Sequence, residues 1–303
     1  MTAANTQVRV RPGWQFLLAG IGAGVVGLLP WIITGMRLPL QNLWAHDVPP
    51  DQMPLALLPF SQYALTLLLG MVVWGAAIAG LLTRREPSDT RARATYFAMA
   101  GFLLVAATAV SQTTVVVAGG LRADDPRTDL YLGGVLAVIL GSVVVGLAVL
   151  VLLARAPRTV ASSGATIAAL ACGIWLNALT VPPFGEVASD AQMAVLGYVR
   201  WVPAILVGAA LVWCSTGGVR KVLAWLVNLF LLWAVPAGLT AVNYAAGSRV
   251  LAGDPEQMLT AARDVFVQAL GPAGSSLGYA AVALVIGLTG SGARAYLARR
   301  RAR

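Results

Sequence analysis

Apolar and polar residues along this chain are sorted into long blocks, not alternated at strand or surface-helix spacing. A helix crossing about 30 Å of hydrocarbon needs about 20 mostly apolar residues. Runs of that kind recur eight times, at 14–36, 57–82, 96–119, 131–153, 164–184, 195–214, 222–245 and 275–297. They predict an all-α polytopic integral membrane bundle, with residues 1–303 forming one membrane domain. No small-residue cleavage site follows the first run, so it reads as the first membrane helix and not as a removable leader. The fifth run ends in Val181-Pro182-Pro183 and the eighth is rich in glycine, so these two carry the thinnest signal.

The connections between the runs give an independent test of the count. Arginine and lysine are concentrated in the N-terminal tail, in every second connection and in the C-terminal tail, which together hold 15 of the 21 basic residues. Ten of the 12 acids lie in the other connections. A basic excess marks the cytoplasmic side of a membrane, so the pattern predicts both termini inside. Adding or removing one span would scramble this alternation. The inner connections are short. The outer ones, 37–56, 120–130, 185–194 and 246–274, are longer, so anything assembled outside the bilayer faces outward. Three of them carry a similar tetrad, Pro50-Asp51-Gln52-Met53, Asp190-Ala191-Gln192-Met193 and Pro255-Glu256-Gln257-Met258. Chance in amphipathic loop segments explains this more simply than duplication of an ancestral hairpin.

Composition agrees with the block pattern. Hydrophobic residues make up 58% of the chain and charged residues 11%, against about 25% charged in soluble domains. The net charge of +9 is confined to clusters between apolar runs, which excludes a nucleic-acid-binding surface and fits a lipid bilayer as the partner. Lys221 is the only lysine. With abundant alanine, valine and glycine, this suggests the cell membrane of a GC-rich bacterium. Cys172 and Cys214 differ in depth by roughly 10 Å along their helices, too far for a disulfide, and are expected to be free, buried thiols.

The longest outer connection predicts a further helix over 254–270. Asp254 is a suitable N-cap, Pro255 fits the first helical position and Gln257 completes a box-like pattern. Gly271 is a candidate left-handed cap, and Pro272 blocks continuation. Met258, Leu259, Ala262, Val265, Phe266, Ala269 and Leu270 share one face. Too short and polar to span, the segment is expected to lie flat in the outer interface or as a lid over the bundle.

Candidate chemistry is sparse. Gly22-Ala23-Gly24-Val25-Val26-Gly27 matches a dinucleotide fingerprint, which needs a preceding strand. Inside a membrane helix it reads instead as a small-residue packing face, extended by Gly20. Asp124-Asp125-Pro126-Arg127-Thr128-Asp129 resembles the Asp-rich Mg²⁺-diphosphate motifs of membrane prenyltransferases, but no second dense motif accompanies it, and Arg122 and Arg127 offset its charge. An acidic solvated turn is the simpler reading. His46-Asp47 in the first outer loop resembles, through its single acid, the loop acids of membrane glycosyltransferases that use lipid-linked donors. His46 is the only histidine, so a histidine metal cluster is excluded. No nucleotide, zinc or hydrolase motif is present, and no cofactor is predicted.

Polar residues inside the spans are informative because hydrocarbon penalises them. Gln62, Gln112, Asn177 and Asn243 fall in the outer halves of their helices, and Arg200 lies about five residues inside the outer end of its own. Together they are candidates to line an outward-facing polar cavity; singly, each amide could make an interhelical hydrogen bond and Arg200 could snorkel. Asn228 lies deeper, with Ser111, Thr113 and Thr114 as further polar members. The absence of an intramembrane carboxylate weighs against a proton-driven transporter. The expected function is therefore a non-catalytic permease-type, envelope-assembly or transport subunit that works with other membrane or ATPase chains. The alternative is a membrane enzyme acting on a lipid-linked substrate at the outer face.

Overall fold

The computed structural model describes residues 11–184, 187–214, 218–248, 254–271 and 276–301. Pro272, and the parts of the tails and connections at 1–10, 185–186, 215–217, 249–253, 272–275 and 302–303 that entered the charge count and the run boundaries above, lie outside that set. The described chain is a helical bundle without strands. Its helices are α1 (Gly13–Ile33), α2 (Leu65–Arg84), α3 (Ser88–Gly120), α4 (Arg127–Arg155), α5 (Arg158–Thr180), α6 (Asp190–Val199), α7 (Val202–Trp213), α8 (Val219–Gly247), α9 (Pro255–Leu270) and α10 (Ser276–Arg301). Eight units are long and apolar enough to cross a membrane, with α6 and α7 forming one of them. This is a multi-pass membrane protein. Below, its two ends are named by their charge, the arginine-rich rim and the acidic rim.

Glycines set the helix pairings. A Cβ on Gly20 would lie 2.0 Å from the Ala98 carbonyl oxygen, and one on Gly101 would lie 2.1 Å from that of Leu17. The backbones of α1 and α3 therefore touch, which only glycine permits. Gly80 against Leu150 binds α2 to α4, and Gly208 and Gly287, against Ile286 and Leu211, bind α7 to α10. Each of these is a parallel pair. The fingerprint glycines separate accordingly: Gly20, Gly24 and Gly27 face neighbouring helices, whereas Gly22 meets nothing within 4 Å.

Two cores result. The larger gathers α1 to α4 around Phe60, Leu68, Met71, Phe102 and Ile139. A second, around Ala204, Val207, Leu211, Leu232 and Ala283, joins α5, α7, α8 and α10. Helix α5 packs on α2 and α4 as well as on α7 and α8, so it links the two halves. Between α5 and α8, Asn228 is fully buried. It donates to Ser162 Oγ (2.9 Å) and accepts from Thr166 Oγ1 (2.9 Å), so its side chain clamps the two helices.

Proline makes one break that the chain repairs. Pro30 lies inside α1 and has no N–H for the carbonyl of Val26. The indole Nε1 of Trp175, on α5, donates to that carbonyl at 3.0 Å and to Gly27 at 3.1 Å.

Four expectations require correction. The second span does not begin as a helix at residue 57. Residues 53–61 enter as extended chain, because Pro59 disfavours helical backbone at Leu58, and α2 follows a single tight turn at Gln62–Ala64. Membrane-depth backbone must find partners, and this segment does. Leu38 N–H donates to Pro54 and Ala56 N–H to Met36 on one edge. On the other edge, the Gln112 amide accepts from Leu57 N–H and donates to the Leu55 carbonyl, both at 2.9 Å. Thr113 Oγ1 accepts from Leu58 N–H at 3.0 Å.

The fifth span stops at Thr180, short of 184, because Pro182 holds Val181 in extended backbone. The sixth is broken at Arg200-Trp201 into α6 and α7, where Pro203 interrupts the ladder. Finally, α9 does not lie flat. It returns along α8, with Phe266, eleven residues into α9, beside Gly238, nine residues before the end of α8. The missing side chain at Gly238 lets Phe266 lie against α8. On α9 the packed face includes Ala261 and not Leu259, which is 73% exposed. Asp254 caps it by accepting from Glu256 and Gln257 N–H. Gly271 is extended and not left-handed, with φ −69° and ψ 173°.

The recurring tetrads acquire a local explanation. Each opens a helical turn, at Pro50–Gln52, at α6 and at α9. Ser189 and Gln192 form a full capping box at α6. Proline, acid and glutamine suit helix N-termini, so no duplication is needed.

Candidate functional site

An open cavity of about 580 Å³ lies where the two halves meet near the acidic rim. Its walls come from the turn before α2 (Tyr63), the start of α2 (Thr66, Leu67), the last turns of α5 (Leu170 to Ala178), the Val181-Pro182-Pro183 corner, the α6–α7 break, α8 and Tyr279 of α10. Irregular backbone creates this space. Pro203 removes the N–H that would serve the Val199 carbonyl, and Pro236, inside α8, does the same to Leu232; all four residues line the cavity. Helix interruptions of this kind at membrane depth are tolerated where they border a cavity.

The lining is graded. Tyr63, Asn177, Pro182 and Arg200 are exposed and form the mouth, whereas Leu67, Leu170, Ala178 and Leu232 are buried and form the floor. Leu170 is ten residues before the end of α5, or about 15 Å at 1.5 Å per residue. The cavity thus reaches about half-way through a hydrocarbon layer. Among the described residues that line it, Arg200 is the one charged side chain and none is a carboxylate. The guanidinium lies 5.5 Å from the ring centroid of Trp201, which meets Tyr279 edge-on at 4.9 Å. The ion pairs among the described residues, Arg11–Glu86 and Arg127–Asp125, are elsewhere.

The five candidate cavity residues are distributed as follows. Asn177 and Arg200 line this cavity. Asn243 stands behind its wall and donates to Thr66 Oγ1; its own Oδ1 is buried without a partner. Gln62 borders a separate space of about 50 Å³ with Gln41, Asn42 and Tyr131. Gln112 is spent on the extended segment. The contributions of Tyr63, Thr66 and Tyr279 escaped sequence reasoning, because each lies at the end of an apolar run where a tyrosine or threonine is unremarked. Pro203 and Pro236, prolines in the middle of apolar runs whose lost N–H groups border this cavity, were the signal available.

A second cavity, of about 530 Å³, gathers His46, Asp47 and Arg122 with Gln41 and Asn42. The loop is pinned there by Ala45 N–H to the Gly120 carbonyl (2.8 Å) and Arg122 Nε to that of Trp44 (3.1 Å). Asp125 is held by Arg127, whose guanidinium donates at 3.0 and 2.7 Å to its two oxygens. These bonds lower its pKa to about 2. The Asp-rich turn is thereby largely self-neutralised, and no group of three or more histidine, cysteine or acidic residues placed to hold a metal occurs among the described residues. Cys172 and Cys214 are free and buried.

No family of known proteins, no characterised protein and no solved structure matches the chain. Function must therefore be argued from the site itself.

Proposed function

We propose that this protein is a non-catalytic transport or envelope-assembly subunit of a bacterial cell membrane, and that the Arg200 cavity is its working site on the extracytoplasmic face. The observation that carries this reading is the lining itself. Its described residues offer one cation, an amide, hydroxyls and a deep apolar floor, and among them there is no nucleophile–base pair and no carboxylate to run a reaction. Binding and handing on a ligand needs nothing more, and energy or chemistry would come from a partner chain, such as an ATPase.

Complementation of a deletion strain tests this. Asn177→Trp, which fills the mouth, should abolish function at normal abundance. Arg200→Lys, which keeps the charge but loses the planar fork, should reduce it. Full function in both variants overturns the proposed site.

The second cavity supports the competing reading, an enzyme on a lipid-linked substrate, because it places His46, Asp47 and Arg122 together. Turnover of a lipid-linked phosphate or sugar by the purified protein, lost in Asp47→Asn, would establish that reading in place of ours.

A further inference from the structure

Resting on the reading of the Arg200 cavity as the working site, we infer that its ligand is an anionic lipid of the surrounding bilayer, bound with its phosphate at Arg200 and the upper part of a tail on the Leu170–Leu232 floor. Three features point to this class. First, a guanidinium with no carboxylate beside it and no ion pair among the described residues favours an anion, and its fork matches phosphate oxygens. A single cation suits a single negative charge; a diphosphate would call for more.

Second, the polarity is graded along one axis. Arg200, Asn177 and Tyr63 are at the mouth, while Leu170 and Leu232 lie about half-way through the hydrocarbon. A small hydrophilic solute would gain nothing from that floor, and a wholly apolar one would leave the mouth unmatched. An amphiphile matches both ends. Third, about 580 Å³ is within the range of sites that enclose a drug-sized ligand. It suits a headgroup and the first stretch of a chain, with the remainder left in the bilayer.

Arg200 sits where the α6–α7 span is broken. In an unbroken helix the residue at this depth could extend along the helix to the interface. Here the turn at Arg200-Trp201 and the edge-on contact of Trp201 with Tyr279 fix its backbone at the rim of the cavity. The cation is therefore presented at the junction of water, headgroup and floor.

The experiment is native mass spectrometry of the full-length protein released from nanodiscs of equimolar phosphatidylglycerol and phosphatidylcholine. Both lipids carry a phosphate, but only the first has a net charge. The wild type should retain phosphatidylglycerol in preference on the order of tenfold, the factor that about 1.4 kcal/mol provides. Arg200→Gln should bring the ratio to about one, Arg200→Lys should keep most of the preference, and Asn177→Trp should lose the retained lipid of either kind. All three variants should melt with the wild type, which separates loss of the site from loss of the fold.

Equal retention of both lipids by the wild type, or a preference that survives Arg200→Gln, overturns the inference. An isoprenoid monophosphate that displaces phosphatidylglycerol at a tenth of its amount would assign the tail to a lipid-linked precursor and overturn the bilayer-lipid source. The two levels of the argument fail separately. A preference lost in Arg200→Gln together with full complementation by that variant removes the working-site reading but not the lipid. Failed complementation with no lipid preference does the reverse.

Discussion

Replacing Gly20 by alanine adds one methyl group to the α1–α3 contact, and the structure states what that methyl would meet. Its carbon would lie 2.0 Å from the Ala98 carbonyl oxygen, about 1.4 Å inside ordinary contact at 3.4 Å. The obstacle is backbone in the middle of a helix, so no side-chain rotation relieves it, and α1 and α3 must separate by roughly that amount. A gap of about 1 Å forfeits around half of the dispersion attraction across an interface. A few dozen atom pairs at about 0.1–0.2 kcal/mol each hold such a contact, so the loss is about 2–3 kcal/mol, the upper part of the range for overpacking. Gly22→Ala is the internal control: same helix, same chemical change, nothing within 4 Å. It should be neutral or stabilising by up to about 1 kcal/mol, since alanine is the better helix former. Unfolding of the purified protein in mixed micelles, followed by tryptophan fluorescence, measures both. If the two variants fall within about 0.5 kcal/mol of each other, the close backbone contact is not what holds α1 to α3.

Trp175→Phe should destabilise the protein by about 1 kcal/mol, because the Val26 carbonyl freed by Pro30 loses its donor. In a Pro30→Ala background, where residue 30 supplies its own N–H, the same change should cost less; equal costs in both backgrounds would sever the link between proline and indole. Asn228→Ala should cost about 1 kcal/mol for two interhelical bonds of about 0.6 kcal/mol each, and a Ser162→Ala/Thr166→Val background should absorb most of it, as a double-mutant cycle in micelles would show. For α9, cysteines at Gly238 and Phe266, which meet across α8 and α9, should join through a short membrane-permeant bis-thiol reagent, whereas cysteines at Gly238 and Gln268 should not; equal cross-linking of both pairs would detach α9 from α8.

The block pattern of apolar residues carried most of the fold, because a bilayer leaves few ways to bury a run of 20 such residues. It could not separate helix from extended chain at 53–61, where composition is the same for both; only Pro59 marked the difference, and the compensating partner, Gln112, lies over 50 residues away. The amphipathic pattern over 254–270 located a helix and most of its face. It could not say what that face would meet, since the outcome depends on Gly238 of α8 and not on α9. The cavity illustrates the limit best. Gln112 and Asn177 share a depth, which sequence gives, but point to different neighbours, which only helix pairing decides. Asn177 ended at the mouth and Gln112 in a backbone ladder.

The parallel glycine pairs also impose an order on how the protein is made. Each joins helices separated in sequence by at least one whole span, α1 with α3, α2 with α4, α7 with α10. A ribosome delivers α1 to the membrane well before α3 exists, so Gly20 faces lipid, unpartnered, while some 80 further residues are synthesised. It cannot close onto α3 until α2 has crossed and turned back. The later pair waits about as long, some 80 residues from Gly208 to Ile286, because α8 and α9 both intervene before α10 arrives to meet α7. Assembly of the second half, and with it closure of the wall that carries Tyr279, therefore belongs to the last moments of synthesis.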